Sequence, residues 1–185
     1  EFKNLKSELK NLVNLDYKEL AYVILKEFLT DYSEKELKYC INSAYDEKFD
    51  TEKIAPISKV GDDYVLELYH GPTCAFKDMA LTIMPYLLKT AIEKNNLKEE
   101  VVILTATSGD TGKAALEGFK DVDKIKIVVF FPENGVSNIQ KLQMKTTGGD
   151  NTCVVGINGN FDDAQTGIKN IFADNNFNKD LKEKG

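Results

Sequence analysis

The chain has 185 residues, of which 42% are hydrophobic, and this is enough for one large domain or for a small domain with an appendage. Its formal net charge of −6 argues against general binding to nucleic acid or to an anionic membrane surface, because both favour a basic face. No apolar run approaches the length of a membrane span, and no signal peptide is visible.

Residues 1–52 are predicted to form a small helical subdomain whose role is packing. Asp16 with Glu19 has the spacing of a capping box, and Ser33 with Glu36 repeats it. Apolar residues recur at helical spacing after each box and predict two buried helix faces. These faces comprise Leu20, Val23, Ile24 and Phe28 after the first box, and Leu37, Cys40, Ile41 and Ala44 after the second.

Residues 53–98 are predicted to contain a hairpin, a turn that carries a lysine, and a helix. The hairpin covers residues 57–68 and turns around Gly61. Pro85 predicts a kink or a break in the helix near Met84. The residues expected to be buried by this helix are Leu81, Met84, Leu88 and Ile92.

Residues 99–174 alternate between strand and helix patterns, which predicts right-handed crossovers and a parallel sheet. The expected class is therefore α/β, a three-layer doubly wound parallel sheet preceded by the helical subdomain. Residues 175–185 are a polar tail, expected to be frayed or linked to further sequence. The predicted strands are 101–105, 125–131 and 152–157, and the predicted helices are 112–119, 137–144 and 161–173.

A lysine follows a Gly-Pro turn where a helical pattern begins, in the run YHGPTCAFKD that starts at Tyr69. Desolvation beside Ala75 and Phe76 and the positive end of a helix dipole both disfavour an ammonium group, so Lys77 is expected to lose its proton readily. An enzyme requires this of a lysine that forms a Schiff base. An ordinary lysine at a helix start is the alternative interpretation.

Three neighbours of Lys77 are chemically suggestive, but their patterns favour plainer roles. His70 is the one histidine of the chain, and a structural or supporting role is favoured over catalysis. Cys74 is expected to be a buried thiol rather than a nucleophile. Asp78 is expected to cap the helix that it begins. The three cysteines have no metal-ligand spacing, which favours reduced thiols in a cytoplasmic protein.

A second motif, TATSGDTGKAA from Thr105, connects a predicted buried strand to a predicted helix. Ligands bind at this edge of open parallel sheets, where backbone N–H groups and the helix dipole favour carboxylate or phosphate. The hydroxyls of Ser108 and Thr111 add donors. The alternative is a common loop capped by Asp110 or Thr111. The glycine and lysine spacings match neither a dinucleotide fingerprint nor a nucleoside-triphosphate loop.

Four segments together closely resemble threonine synthase, a family of fold-type II enzymes that use pyridoxal phosphate. That family carries H-G-P-T-x-A-F-K-D, A-T-S-G-D-T-G, V-S-x-x-Q and G-x-F-D-D-x-Q. Their order and approximate spacing agree from about Leu15 to the end of the chain. The matching residues are 70–78, 106–112, 136–140 and 159–165.

The resemblance implies a lyase that converts O-phospho-L-homoserine and water to L-threonine and phosphate, with pyridoxal 5'-phosphate as its cofactor. Lys77 would be the catalytic Schiff-base lysine, and Phe76 and Asp110 would also contact the cofactor. The implied substrate-binding residues are Thr107, Ser108, Gly109, Asp110, Thr111, Gly112, Lys113, Ser137, Asn138 and Gln140.

Two positions depart from the family pattern. Gly135 stands where some relatives have a basic residue, and Lys113 stands where a small residue is common. Lys113 could reach the substrate phosphate, and a solvated lysine at a helix start fits equally well. The chain contains no arginine, so any phosphate contact that it makes must come from N–H groups, hydroxyls or lysines.

The resemblance covers an N-terminal portion of the family. The chain begins with Glu1 rather than methionine, and no Gly/Asn-rich loop for the cofactor phosphate is found in it. The expected partners are the small-molecule substrate and the remainder of the enzyme, without nucleic acid or membrane, and the portion alone is expected to be inactive. The alternatives are another pyridoxal-dependent β-elimination enzyme, such as an amino-acid dehydratase, and a non-catalytic anion-binding module.

Overall fold

The computed structural model describes residues 9–183. The chain divides into two compact units, Glu1–Met79 and Ala80–Gly185. No helix in residues 9–183 is both long enough and apolar enough to cross a membrane.

Within the described residues of the first unit, which start at Leu9, three helices come before the first strand, namely α1 (Leu9–Leu12), α2 (Tyr17–Leu25) and α3 (Glu34–Ala44). Both expected capping boxes are present at the starts of α2 and α3. The four apolar residues expected to be buried by α3 are buried, but α2 buries none of its residues. Phe28 is 59% exposed because α2 ends at Leu25, before the apolar pattern does.

A two-stranded antiparallel hairpin follows these helices, as the sequence predicts. Strand β1 (Ile57–Val60) pairs with β2 (Asp63–Leu66), with Ile57 opposite Leu66. The strands are joined through Gly61, whose φ is 62°.

The predicted helix break at Pro85 is confirmed. The single-turn helix α4 (Asp78–Leu81) ends before α5 (Met84–Lys94) begins, and Pro85 lies in the first turn of α5. Proline is tolerated there because its missing N–H has no helical partner in any case. Met84 was expected to be buried but is 47% exposed, since Ile83 takes the buried position at 6% exposure.

The second unit contains a parallel three-stranded sheet in the order β3-β4-β5, as the alternation of patterns predicts. Each strand is followed by a helix, and the α/β class is confirmed. The strands are β3 (Val101–Ala106), β4 (Ile125–Pro132) and β5 (Thr152–Ile157), and the helices are α6 (Asp110–Phe119), α7 (Asn138–Thr146) and α8 (Phe161–Ala173).

Helices cover both faces of this sheet. One face carries the alternate β4 residues from Ile125 to Phe131, which are buried with apolar residues of α5, α6 and α7. Helix α8 contacts β3 and β4, but its buried residue Ala164 does not belong to the apolar cluster on the first face. Helix α8 therefore covers the opposite face of the sheet. All three strands end at the same edge, which places the loops before α6, α7 and α8 side by side.

The tail was expected to be frayed or linked to further sequence, and the structure shows a helix there, α9 (Asn175–Glu183). The carboxylate of Asp174 explains its start, because it accepts hydrogen bonds from the N–H groups of Asn176 (2.9 Å) and Phe177 (3.1 Å). A helix start signal of this kind was present in the sequence at Asp174.

Candidate active site

A buried carboxylate closes the turn that carries Lys77. Asp78 is 1% exposed and accepts hydrogen bonds from the N–H (2.8 Å) and the hydroxyl (2.6 Å) of Thr73. Gly71 lies against it, so that a Cβ at this position would be 2.6 Å from the Cβ of Asp78. Asp78 was expected to cap its helix, but these donors lie five residues before it. Its carboxylate therefore fixes the turn.

Lys77 is half-buried at the start of α4. Its Nζ lies 4.4 Å from the centroid of the Phe76 ring, and Phe76 is 55% exposed. A cation over an aromatic face is held by the quadrupole of the ring. The expectation of a buried Cys74 is wrong, because Cys74 is exposed and has a φ of 55° in the turn itself.

His70 lies between two carboxylates of the same unit. Its Nδ1 is 2.5 Å from Asp50 Oδ1, and its Nε2 is 2.7 Å from Glu67 Oε2. Hydrogen bonds to Glu67 and Asp50 raise the pKa of His70. The pKa of Glu67 is lowered first by the hydroxyl of Ser58, which donates to it, and then by His70. The structural role favoured for His70 fits this arrangement.

The loop between β3 and α6 is organised by the side chain of Thr107. Thr107 is 1% exposed, and its Oγ1 accepts hydrogen bonds from the N–H groups of Gly109 (3.0 Å) and Gly112 (2.8 Å). The cap residue of α6 is Gly109, so neither Asp110 nor Thr111 caps this helix. Thr107 therefore takes up two of the N–H groups that the sequence analysis assigned to an anion.

The loops before α6 and α7 meet through one side chain. Gln140 Nε2 donates to Asp110 Oδ1 at 2.8 Å. Gln140 Oε1 accepts from the N–H and the hydroxyl of Ser137, both at 3.1 Å, which completes a capping box at the start of α7. Lys113 Nζ lies 3.4 Å from the same oxygen of Asp110.

Lys113 is buried, with 7% of its surface exposed. The interpretation of Lys113 as a solvated lysine at a helix start is therefore wrong. The sequence pattern does not indicate this burial. Lys113 lies near the start of α6, where lysines are often exposed, but here its Nζ contacts Asp110.

The structure brings some of the predicted site residues together and leaves others at the surface. Residues from Thr107 to Lys113 and Gln140 form one connected group within the second unit, while Lys77 and Phe76 belong to the first unit. Ser108, Ser137 and Asn138 are exposed, and Thr111 is half-buried. The side chains of Ser108 and Asn138 are thus accessible to a ligand from solvent.

Four residues of these networks had no role predicted from the sequence, namely Asp50, Ser58, Glu67 and Thr73. A signal for Glu67 was available, since it precedes the one histidine by three residues at the end of a predicted strand. Asp50 is 20 residues from His70 in sequence, and no local spacing connects the two.

Known proteins resemble this chain in sequence and in fold. A family described as "Threonine synthase N terminus" matches residues 1–45. Threonine synthase of Pseudomonas aeruginosa is 41% identical over 174 residues, which is 93% of this chain and 36% of that protein. A crystal structure of pyridoxal-phosphate-bound threonine synthase from Brucella melitensis superimposes with a TM-score of 0.83 at 33% identity, over 95% of this chain and 38% of that one.

Over nearly its whole length, the chain is similar to the N-terminal portion of threonine synthases.

The threonine synthase resemblance inferred from the four motifs is thereby confirmed, as is the fold. The chain spans between about a quarter and two fifths of the length of the relatives described here. A human protein named "Threonine synthase-like 1" is 42% identical over 178 residues, which is 92% of this chain and 24% of that protein. Identity over this portion is therefore nearly equal for the threonine synthase of Pseudomonas aeruginosa, at 41%, and for the human protein of that second name, at 42%.

Proposed function

We propose that the full-length protein is a threonine synthase that converts O-phospho-L-homoserine and water to L-threonine and phosphate. The observation that carries the proposal is the position of Lys77, on a turn closed by Asp78 and Thr73, in a chain whose relatives are threonine synthases. The reaction class is a pyridoxal-phosphate-dependent elimination of phosphate followed by addition of water.

The residues of the lysine turn suit a cofactor that carries an aldehyde. Lys77 offers a half-buried primary amine on a backbone held by two hydrogen bonds to Asp78. The exposed ring of Phe76 offers an apolar surface beside that amine. Pyridoxal phosphate, when bound, supplies an electron sink for the carbanion that both steps require. Lys77 is our candidate for its attachment, and Phe76 and Asp110 for further contacts.

Lys77 also suits proton transfer once it is released from the cofactor. A partly desolvated primary amine can take a proton from one carbon and return it to another, provided that the amine stays within hydrogen-bond reach of both carbons. The fixed turn supports this role, because the buried Asp78 restrains the backbone beside Lys77.

The loop of residues 107–113 is our candidate for binding the substrate carboxylate. It lies at the edge where the parallel strands end, and Ser108 presents an exposed hydroxyl there. The hydrogen bonds from Gly109 and Gly112 to Thr107 keep this loop in one conformation before substrate arrives. A preformed loop lowers the entropy lost on binding. Lys113, Ser137, Asn138 and Gln140 complete the proposed substrate site.

We further propose that residues 1–185 alone are inactive and that the protein works in the cytoplasm. The portion spans little more than a third of the threonine synthases that it matches, which supports the first proposal. The second is supported by the cysteines Cys40, Cys74 and Cys153, all of which are free thiols.

The experiment that tests the activity supplies the full-length protein with pyridoxal phosphate and three substrates in parallel. Threonine synthase activity predicts release of phosphate and formation of threonine from O-phospho-L-homoserine. A dehydratase would instead release ammonia from serine or threonine. Ammonia release without turnover of O-phospho-L-homoserine would contradict the proposal.

A further inference from the structure

We propose that Gln140 is a positioning residue whose carboxamide holds Asp110 against the start of α7, so that the two substrate loops act as one rigid element. We call the hydrogen bond between Gln140 and Asp110 the brace. Its effect on catalysis rests on the proposed function, but its existence can be tested without any turnover.

The carboxamide of Gln140 uses both of its ends. Its oxygen accepts two hydrogen bonds from Ser137 at the start of α7, while its nitrogen donates to Asp110 Oδ1 at 2.8 Å. A capping box needs only the oxygen. Glutamate serves equally well at this position of a capping box, so the cap alone does not require an amide. The nitrogen of Gln140 therefore has a second task, which is the bond to the α6 loop.

The backbone of the α6 loop is shaped to receive this carboxamide. Gly109 has a φ of 140°, and a Cβ at this position would lie 2.4–2.6 Å from the Cδ, Nε2 and Oε1 atoms of Gln140. Real Cβ contacts are never this close. Glycine thus serves two needs here, a backbone conformation that L side chains rarely adopt and direct packing of the Gln140 amide on the loop.

Asp110 is the point at which the brace acts on the proposed substrate loop. Its Oδ1 is shared between Gln140 Nε2 and the buried Nζ of Lys113, at 2.8 and 3.4 Å. A buried ammonium is stabilised by nearby carboxylates, so the orientation of the Asp110 carboxylate influences where the Lys113 charge lies. Gln140 restrains that carboxylate from outside α6. Release of the brace would therefore loosen both Asp110 and Lys113 within the proposed site.

The test uses the full-length protein and variants that separate the cap from the brace. Gln140→Glu keeps an oxygen for Ser137, but it removes the donor to Asp110 and brings two carboxylates together. Glu19→Ala is the matched control, because it removes the capping-box side chain of α2, where Glu19 Oε2 accepts from the N–H of Asp16 at 3.0 Å. Asp110→Asn combined with Gln140→Glu restores the hydrogen bond with its direction reversed.

We expect Gln140→Glu to raise KM for O-phospho-L-homoserine by about tenfold or more, since a hydrogen bond to a charged group is lost. Its kcat and its cofactor absorbance should change much less, and Glu19→Ala should leave all three unchanged. In urea unfolding, we expect the double variant to lose less unfolding free energy than the losses of Gln140→Glu and Asp110→Asn added together.

Any of three results would overturn the inference, and the first two are a KM for Gln140→Glu within twofold of wild type and strictly additive effects in the urea cycle. A KM increase of equal size in Glu19→Ala would attribute the effect to a lost cap and would also overturn it. If the wild-type protein does not turn over O-phospho-L-homoserine, the proposed function fails. The urea cycle still decides whether the brace exists.

Discussion

The carboxylate of Asp78 accepts hydrogen bonds from both the backbone N–H and the hydroxyl of Thr73, at 2.8 and 2.6 Å, in a setting where Asp78 is 1% exposed. Lys77 is the residue immediately before this carboxylate. The backbone of the lysine turn is therefore restrained by a side chain that stays out of contact with solvent.

We predict that Asp78→Asn lowers the free energy of unfolding by about 1.5–3 kcal/mol, because the charge-assisted hydrogen bonds from Thr73 to a buried carboxylate are replaced by bonds to a neutral amide. Urea unfolding at neutral pH measures this change. Asp62→Asn, at the exposed hairpin turn, is the control and should stay within about 0.5 kcal/mol of wild type. Equal effects of the two substitutions would show that the Thr73 bonds do not stabilise the turn.

Substitution of Thr111 by valine tests the proposed anion loop. Thr111 is half-buried in the first turn of α6, and valine nearly preserves its volume while removing its hydroxyl. We expect the affinity for substrate to fall by about tenfold, which corresponds to the loss of one hydrogen bond to a charged group. Cofactor loading should remain normal. The control is Thr166→Val, on the exposed surface of α8. Unchanged substrate binding in Thr111→Val would show that the Thr111 hydroxyl has no role in recognition.

The cluster of His70, Asp50 and Glu67 should make stability depend on pH. The pKa of His70 is raised above its ordinary value of 6.5, chiefly by the hydrogen bond to Glu67, so the folded state holds the proton more tightly than the unfolded chain does. The stabilisation is therefore complete below pH 6.5 and is lost as the pH rises through the folded-state pKa. The pKa of Glu67 is lowered from 4.5, so its contribution is present above that pH and is lost in acid.

The measurement compares wild type with His70→Gln in urea unfolding across this range of pH. The difference in unfolding free energy should shrink steadily from pH 6 towards pH 9. A difference that stays constant with pH would mean that His70 contributes through packing or a neutral hydrogen bond rather than through its charge.

Residues 1–185 expressed alone should show no release of phosphate from O-phospho-L-homoserine, even with excess pyridoxal phosphate. The chain covers 38% of the threonine synthase structure from Brucella melitensis, and we propose that the remainder of the enzyme supplies the rest of the site. The control is the full-length protein in the same assay. Turnover by residues 1–185 at the full-length rate would show that the remainder is dispensable.

Local patterns predicted most of the fold. The capping boxes at Asp16 and Ser33 and the three β-branched runs each depend on residues within a few positions of one another, so their physics is visible in the sequence. Errors arose where tertiary packing decides exposure. Met84 lies in the expected helix, but Ile83 occupies the buried position beside it, and no periodicity distinguishes two adjacent apolar residues.

The candidate site was predictable as two separate motifs, but not as a network. Lys113 was ambiguous because its burial is set by tertiary packing, and the Asp110 carboxylate beside it is hydrogen-bonded to Gln140, 30 residues away. The contact between His70 and Asp50 likewise spans 20 residues. Contacts between residues so far apart in sequence are set by how the helices and strands pack, and a single sequence does not reveal that packing.

The most direct test of the central proposal locates the lysine that carries the cofactor. The full-length protein is loaded with pyridoxal phosphate, reduced with borohydride and digested, and the modified peptide is identified by mass spectrometry. Wild type and a Lys35→Ala control, which changes an exposed lysine of α3, should both carry the pyridoxyl group on Lys77. Lys77→Ala should carry none and should lose turnover. A pyridoxyl group on another lysine in a Lys77→Ala protein of normal activity would contradict the assignment.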